Sequence, residues 1–258
     1  MAGHPRSYGS ESMTHLIDKL DAGIRAVVFD MDGVLIDSHP AHLTAWQEFL
    51  RSVGVHAPHS ELSFILEGRT RGEILRHFLG ELPEPELSQL GRRKDEIFRV
   101  LESSIGSFPG VLGFLSELQR MSISCGVATS ASEIRTASTI ERLGLGGFFD
   151  AVITASDVVA GKPHPQVYQL ACQRMCVPPS QAMAFDDAPA GVLAARNAGL
   201  RCVGVSQNGM TQALLNAGAE QVIPNFVDLR PQTVLSFSPE IACSHPSKCE
   251  TEPLSDQG

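Results

Sequence analysis

The sequence predicts an α/β protein in which a doubly wound parallel sheet carries a smaller, inserted helical domain. Three observations support this prediction. Short apolar runs alternate with amphipathic helical segments, the interval between the first two runs contains helical patterns only, and polar residues follow the ends of several runs. Apolar strands that alternate with helices form parallel sheets covered by helices on both faces.

Five strands are predicted, each from a short run rich in β-branched or small apolar residues. They are residues 24–30, 123–129, 151–155, 182–186 and 201–205. A helical pattern follows each of the second, third and fourth runs. The helix after the third run places four apolar residues on one stripe, as a helix that covers a sheet requires. These residues are Val167, Leu170, Ala171 and Met175.

The inserted segment divides the predicted core domain into two parts. Residues 39–107 show helical patterns without a convincing strand, which indicates a small helical domain. The core domain then comprises residues 23–38 and 108–230. Residues 1–22 are polar and poorly periodic, and residues 231–258 are rich in proline, serine and charge, so we expect a flexible extension and a flexible tail.

The composition excludes several classes of protein. Of 258 residues, 43% are hydrophobic and 19% are charged, which is typical of a soluble globular chain. A net charge of -9 argues against nucleic acid as a partner, because binding a phosphate backbone needs a basic surface. No run approaches the ~18 apolar residues of a membrane span. The 6 cysteines form no CxxC pair, so we expect no zinc ribbon and a reducing cytoplasm.

Polar residues follow four of the predicted strands, at the sheet edge where ligands bind in such folds. In chain order they are Asp30, Asp32, Thr129, Ser130, Lys162, Asp186 and Asp187. Four carboxylates need a cation, because each like-charge pair ~4 Å apart costs about 4 kcal/mol at an effective dielectric near 20. Oxygen ligands alone favour Mg²⁺. Carboxylates, Mg²⁺ and a lysine with hydroxyl groups together indicate phosphoryl transfer.

Four segments resemble the motifs of the haloacid dehalogenase superfamily of phosphohydrolases, and they occur in the superfamily's order. They read FDMDGVLIDS, ATS, GKPHP and FDDAPAGVLAARNAG, and the resemblance extends from residue 24 to about residue 210. It implies a Rossmann-like core and identifies the inserted helices as the superfamily's small α-helical cap. The stretch DMDGVLIDSHPAHLTAW is similar to the β-phosphoglucomutase-like subfamily, which also contains many sugar-phosphate phosphatases.

The resemblance implies a role for each matching residue. Asp30 would be the nucleophile that forms an aspartyl-phosphate, and Asp32 would be the general acid and base. Mg²⁺ would be held by the side chains of Asp30 and Asp187, by the backbone carbonyl of Asp32, and by Asp186 directly or through water. The phosphate group would be held by Thr129, Ser130 and Lys162.

Structural roles remain open for several of these residues. Asp186 and Asp187 also suit the cap of the following helix, and Ser130 and Ser132 are also good helix caps. Lys162 alone would suit a solvated loop. The presence of all four motifs in order favours the catalytic assignments.

The resemblance also suggests residues of the cap that meet the substrate. His42 is expected near Asp32 or the substrate, whereas Trp46, one helical turn later, is expected to pack inside the cap. LEGRTRGE is similar to the family's specificity loop, in which Gly68 would allow close approach and Arg71 would bind a second anionic group or hydroxyl groups. Structural roles for His42 and Arg71 remain open. Surface or packing positions are expected for His39, His56, His59, His77 and His164.

The sequence favours a Mg²⁺-dependent phosphatase that acts on a small phosphorylated substrate, with a sugar phosphate first among the candidates, as a monomer or small homo-oligomer. The alternative is a β-phosphoglucomutase-type isomerase. Glu67 and Ser132 stand where mutases carry lysines, and the loss of those cations favours hydrolysis. A non-catalytic binding protein is disfavoured, because such a protein would not need the complete set of catalytic carboxylates and lysine.

Overall fold

The computed structural model describes residues 23–62, 65, 71–207 and 209–235. Within these residues the centre is a parallel sheet of 6 strands in the order β3-β2-β1-β4-β5-β6. The strands are β1 (Ala26–Phe29), β2 (Ser124–Ala128), β3 (Ala151–Ile153), β4 (Ala182–Asp186), β5 (Arg201–Val205) and β6 (Gln221–Ile223). Because β1 lies between β2 and β4, the chain winds outward from it in both directions, and the predicted fold class is confirmed.

The helices of the cap lie between β1 and β2. They are α1 (His39–Ser52), α2 (His59–Leu62), α3 (Arg71–Leu79) and α4 (Glu84–Glu102). The remaining described helices flank the sheet. They are α5 (Val111–Arg120), α6 (Glu133–Arg142), α7 (Gln166–Arg174), α8 (Pro189–Asn197), α9 (Thr211–Asn216) and α10 (Pro231–Leu235). None of the described helices is both long and apolar enough to cross a bilayer.

The side chains of each strand alternate between two hydrophobic clusters, one on each face of the sheet. Val27 and Phe29 of β1 belong to one cluster, and Ala26 and Val28 belong to the other. The ring of Phe29 stacks on that of Phe185 in the neighbouring strand β4, with 5.4 Å between ring centroids. Strands buried on both faces read as continuous apolar runs, which is why the sequence predicted them.

Helix α7 covers the sheet as predicted. Val167 and Ala171 are buried, and Leu170 and Met175 pack against the same cluster. Tyr168 is also fully buried on this helix, although it lies outside the predicted stripe. Its hydroxyl group satisfies a buried polar partner at the sheet edge, as described below.

Two short elements differ from the sequence prediction. Strand β6 was not predicted, since its three residues leave only Ile223 buried and give too short a pattern. Residues 231–235, which the sequence placed in the flexible tail, form helix α10. That part of the prediction is wrong, because Val234 is buried in the core cluster. The composition of the segment does not reveal such a contact.

The cap has a hydrophobic cluster of its own, which includes Trp46, Phe49 and Leu75. The described residues of the cap contain no strand, in agreement with the prediction. The two linkers that join cap and core are paired with each other. The backbone N–H of Asp37 donates to the carbonyl of Gly106 at 3.1 Å, and an isolated antiparallel bridge joins Ile36 to Ser107. Trp46, which is buried in the hydrophobic cluster of the cap, has the packing role expected for it.

A glycine allows helix α8 to begin directly above the end of β4. A Cβ atom placed on Gly191 would lie 1.9 Å from Oδ2 of Asp186, far inside contact distance. The carboxylate of Asp186 thus occupies the space that any side chain at residue 191 would need.

We predict that Gly191→Ala destabilises the protein by about 1–3 kcal/mol, the usual cost of overpacking, and displaces the carboxylate of Asp186. The matched control is Gly113→Ala in helix α5, where no described atom lies within 4 Å of the new Cβ. This control should be neutral or stabilising by up to about 1 kcal/mol, because alanine favours helices. Urea unfolding measures both effects, and equal stability of the two variants would contradict the steric argument.

Candidate active site

An ammonium group joins two carboxylates at the carboxyl ends of the central strands. Nζ of Lys162 donates to Oδ1 of Asp30 at 2.6 Å and to Oδ2 of Asp186 at 2.8 Å. Asp30 follows β1 and Asp186 ends β4, whose preceding residues Phe29 and Phe185 are register partners. The side chains are almost fully buried, so their charges are strongly coupled.

Asp186 accepts two further hydrogen bonds. The hydroxyl of Tyr168 donates to Oδ2 at 2.6 Å, and the backbone N–H of Ala188 donates to Oδ1 at 3.0 Å. Ala188 is the N-cap of helix α8, the residue directly before the helix begins. Asp186 therefore contacts the start of the helix, as the structural alternative suggested, and also fixes Lys162 in front of Asp30.

Asp187 is paired with a histidine from the first cap helix. Nε2 of His39 lies 2.7 Å from Oδ2 of Asp187. The expected surface or packing position of His39 is therefore wrong, because helix α1 begins at His39 and turns its side chain towards the sheet edge. Gly33 permits this approach. Its φ is +75°, and a Cβ there would lie 2.2 Å from Oδ2 of Asp187.

The protonation equilibria of the site reflect an excess of buried negative charge. Burial raises the pKa of Asp30 well above its usual value; Lys162 opposes this shift, and the neighbouring Asp186 and Asp187 add to it. Burial also raises the pKa of Asp187, although His39 opposes it. A cation at this point would offset the repulsion between the carboxylates, which adds to the effect of burial on both pKa values.

The donor chemistry of the cluster fits a hard divalent cation. Asp30, Asp186 and Asp187 present oxygen atoms only, and the backbone carbonyl of Asp32 is a fourth predicted donor, a set suited to Mg²⁺. In the part of the chain that the structure describes, no three His, Cys, Asp or Glu side chains already form a metal site. Lys162 binds the first two carboxylates. The assignment of these four residues as metal ligands stays a prediction.

The three residues predicted to bind phosphate lie together. Thr129, Ser130 and Lys162 line one cleft of about 210 Å³, and Lys162 also contacts Asp30. Apolar and small residues complete its described lining: Ala155, Val158, Val159, Gly161 and Val167. The buried hydroxyl oxygen of Thr129 accepts a hydrogen bond from the backbone N–H of Ala131 at 3.1 Å, which orients the loop after β2.

Asp32 is held by an arginine. Nη1 and Nη2 of Arg135 donate to Oδ2 and Oδ1 of Asp32 at 2.7 and 2.6 Å, a bidentate pair. Burial would raise the pKa of Asp32, but the hydrogen bonds and charge of Arg135 outweigh it and hold that pKa well below its usual value. Asp32 is therefore a carboxylate in this structure.

The cap reaches Asp32 through a histidine and a buried lysine. Nε2 of His42 lies 3.7 Å from Oδ1 of Asp32, and its Nδ1 lies 3.1 Å from Nζ of Lys94. The rings of His42 and Phe98 stack with centroids 4.1 Å apart, and Nζ of Lys94 lies 4.9 Å from the Phe98 centroid. Burial lowers the pKa of Lys94 to about 8, and that of His42 is lowered as well. His42 thus lies near Asp32, as the sequence suggested.

Arg71 lies on the cap, beyond Lys94. Its guanidinium is paired with Asp95, and about half of its side chain is exposed. Asp95 in turn lies 3.8 Å from Nζ of Lys94. The structure thus connects Arg71 to the network around Lys94, and its predicted contact with substrate stays a prediction. Gly68 and Glu67 lie outside the described residues.

A family model of haloacid dehalogenase-like hydrolases matches residues 24–199, well over half of the chain. The chain belongs to this family. The match begins two residues before β1 and ends after α8, so it includes all four motifs and the whole cap. The predicted superfamily is confirmed.

Three related proteins place this hydrolase more closely. Validoxylamine A 7'-phosphate phosphatase of Streptomyces hygroscopicus subsp. limoneus is 32% identical over 219 residues, covering 80% of this chain and 96% of that protein. Hexitol phosphatase A of Escherichia coli (strain K12) is 32% identical over 190 residues, covering 74% and 87%. The crystal structure of β-phosphoglucomutase from Clostridium difficile superposes with a TM-score of 0.68 at 25% identity, covering 82% and 95%. The family model and the two phosphatases support the predicted phosphoric monoester hydrolase.

Four site residues of the hydrolase were not predicted from its sequence: His39, Lys94, Arg135 and Tyr168. A signal for Lys94 exists in the periodicity of helix α4, since Leu87, Gly91, Lys94 and Phe98 form its buried stripe. A lysine on such a stripe costs free energy and points to a function. The sequence offers no comparable signal for Arg135, which occupies the polar first turn of helix α6.

Lys94 should lower the stability of the folded hydrolase. Its pKa is about 8 in the fold against 10.5 ordinarily, so the penalty is complete below pH 8 and vanishes above pH 10.5. We predict that Lys94→Met raises the free energy of unfolding by about 2–3 kcal/mol at pH 7 and by less at pH 10. Exposed Arg92→Met on the same helix, the control, should change it by less than about 0.5 kcal/mol. Urea unfolding at both pH values tests this, and a pH-independent gain would contradict it.

Proposed function

We propose that this hydrolase releases inorganic phosphate from a small phosphorylated metabolite, a sugar phosphate first among the candidates, with Mg²⁺ as cofactor. The supporting observation is the placement of Lys162 against the buried carboxylate of Asp30, beside the cleft lined by Thr129 and Ser130. A nucleophile, a cation and hydroxyl donors around one cleft suit a transferring phosphoryl group. The phosphatases among its relatives support the substrate class.

In the first step a carboxylate oxygen of Asp30 attacks phosphorus, and the bond from phosphorus to the leaving oxygen breaks. Lys162, Thr129 and Ser130 bind the phosphate oxygens. Mg²⁺, held by the predicted carboxylates, would neutralise charge on the phosphate when bound. Asp32, protonated for this step, donates its proton to the leaving oxygen, which departs as an alcohol and leaves a carboxylate.

In the second step the carboxylate of Asp32 accepts a proton from water, and the oxygen of that water attacks the phosphorus of the aspartyl-phosphate. The bond to Asp30 breaks, which restores its carboxylate and releases inorganic phosphate. Arg135 favours the ionised form of Asp32 that this step begins from. The two steps therefore need opposite protonation states of one residue.

Hydrolysis is favoured over isomerisation by Ser132, which stands where mutases carry a lysine. Ser132 is the N-cap of helix α6, where its hydroxyl accepts a hydrogen bond from the backbone N–H of Arg135 at 3.4 Å. A neutral capping group at this point offers no cation to a second phosphate. Glu67 also stands where mutases carry a lysine. It lies outside the described residues, and its negative charge would repel a second phosphate.

We place the hydrolase in the cytoplasm, as a monomer or small homo-oligomer. Cys125, Cys172, Cys176 and Cys202 are free thiols, which suits a reducing compartment. Cys125 and Cys202 are buried in strands, where cysteine acts as a small hydrophobic residue.

We predict that the hydrolase releases phosphate from a panel of sugar monophosphates in Mg²⁺, and that excess EDTA abolishes the release. Asp30→Asn should reduce turnover to background while unfolding as the parent does, because the amide is not a nucleophile. The control is Asp228→Asn. Asp228 is exposed and adopts a left-handed conformation that asparagine tolerates, so this variant should retain full activity. Near-normal turnover of Asp30→Asn would refute the aspartyl-phosphate mechanism, and turnover in EDTA would refute the metal.

The distinction from a mutase is tested with β-glucose 1-phosphate and a bisphosphate primer. We predict net release of inorganic phosphate and no formation of glucose 6-phosphate, because a retained bisphosphate needs cations for both of its phosphates. Coupled assays for glucose 6-phosphate and for phosphate follow both products together. Conversion without net phosphate release would replace the proposed phosphatase with an isomerase.

A further inference from the structure

Arg135 uses both ends of its guanidinium group within the protein. Its two terminal nitrogens donate to the carboxylate of Asp32, and Nε donates to Oε1 of Glu102 at 2.9 Å. Only 18% of its side chain is exposed, and its central carbon lies 4.9 Å from the ring centroid of Phe98. Three of its five N–H groups are therefore committed, and the remaining two lie on the atoms that already bind Asp32.

The two carboxylates that Arg135 binds belong to different parts of the fold. Asp32 lies just after β1, at the catalytic edge of the sheet. Glu102 is the last residue of helix α4 and directly precedes the second linker between cap and core. Arg135 itself projects from helix α6 of the core. One rigid guanidinium thus sets the distance between the carboxylate of Asp32 and the end of the cap.

A second arginine of helix α6, Arg142, contacts the linker but not Asp32. Nη1 of Arg142 donates to the backbone carbonyl of Ile105 in the second linker at 2.7 Å. Helix α6 therefore holds the linker at two points, Glu102 and Ile105. Arg142 holds the linker without touching Asp32, which makes it a matched control for Arg135.

We propose that Arg135 is a positioning residue, which orients the carboxylate of Asp32 for proton transfer and ties that orientation to the cap linker through Glu102. This inference rests on the proposed phosphatase function. Arg135 acts through Asp32, because each of its three nitrogens donates to a carboxylate. A lysine cannot replace it, since one ammonium cannot bind both oxygens of Asp32 and also Glu102.

The test compares two leaving groups. A sugar phosphate expels a poor leaving group that needs the proton of Asp32, whereas p-nitrophenyl phosphate expels a stabilised phenolate that needs little help. The ratio of their kcat/KM values reports this difference, because kcat/KM includes leaving-group departure but not the later hydrolysis common to both substrates. A role in folding alone would lower both values together.

We expect Arg135→Ala to lower kcat/KM for the sugar phosphate at least about 10-fold more than for p-nitrophenyl phosphate, a part of the 10²–10⁴-fold contribution of acid–base catalysis. Without Arg135 the carboxyl group of Asp32 holds a proton more readily, but it has lost the orientation that directs this proton to the leaving oxygen, and we expect the loss of orientation to dominate. Arg135→Lys should fold well and show the same preference. Glu102→Gln, which weakens one contact of Arg135, should shift the ratio in the same direction by less. Arg142→Ala should leave the ratio unchanged.

A double-mutant comparison completes the test. In an Asp32→Asn background, Arg135→Ala should cause little further change in the ratio, because both substitutions remove the same proton transfer. Equal losses for the two substrates in both Arg135 variants, or additive losses with Asp32→Asn, would overturn the proposal. If the parent protein hydrolyses neither substrate in Mg²⁺, the proposed function itself fails, a result that is distinct from an unchanged ratio.

Discussion

Lys162 places a buried ammonium group between carboxylates that the two central strands bring together. The parallel pairing of β1 with β4 makes this contact necessary, because the strands end beside each other with an aspartate after each. The carboxylates of Asp30 and Asp186, which both contact Lys162, repel each other strongly in a poorly solvated site. The lysine offsets this repulsion. The hydroxyl of Tyr168 and the backbone N–H of Ala188, the N-cap of helix α8, hold the carboxylate of Asp186 in place.

The remaining charges connect the cap to this centre. His39 and His42 both project from helix α1, yet they reach different aspartates, Asp187 and Asp32. These contacts add to the apolar packing between cap and core, where Ala45 and Phe98 of the cap helices join the hydrophobic cluster on one face of the sheet. Burying the charged groups costs free energy. The fully apolar clusters on both faces of the sheet supply the stability that offsets this cost.

The sequence by itself determined the fold class and the catalytic edge. Strands buried on both faces must be apolar throughout, so β1 to β5 are visible as runs in the sequence. Residues that directly follow such strands lie at one edge whatever the rest of the chain does. That rule is sufficient to bring Asp30 and Asp186 together. Lys162 comes from a longer loop after β3, and its place was indicated by the order of the motifs, which also indicates phosphoryl transfer.

Only the tertiary structure decided which side chains meet Asp32 across the boundary between core and cap. Arg135 and Glu102 lie 33 residues apart in the chain, and their contact depends on the position of helix α6 relative to the end of helix α4. Lys94 stands in a charged run of the sequence, and helix α4 places it on the buried stripe, where packing brings it to His42. Local pattern fixes the period of a helix and the end of a strand. The distance between two elements follows from packing, which no single segment of sequence encodes.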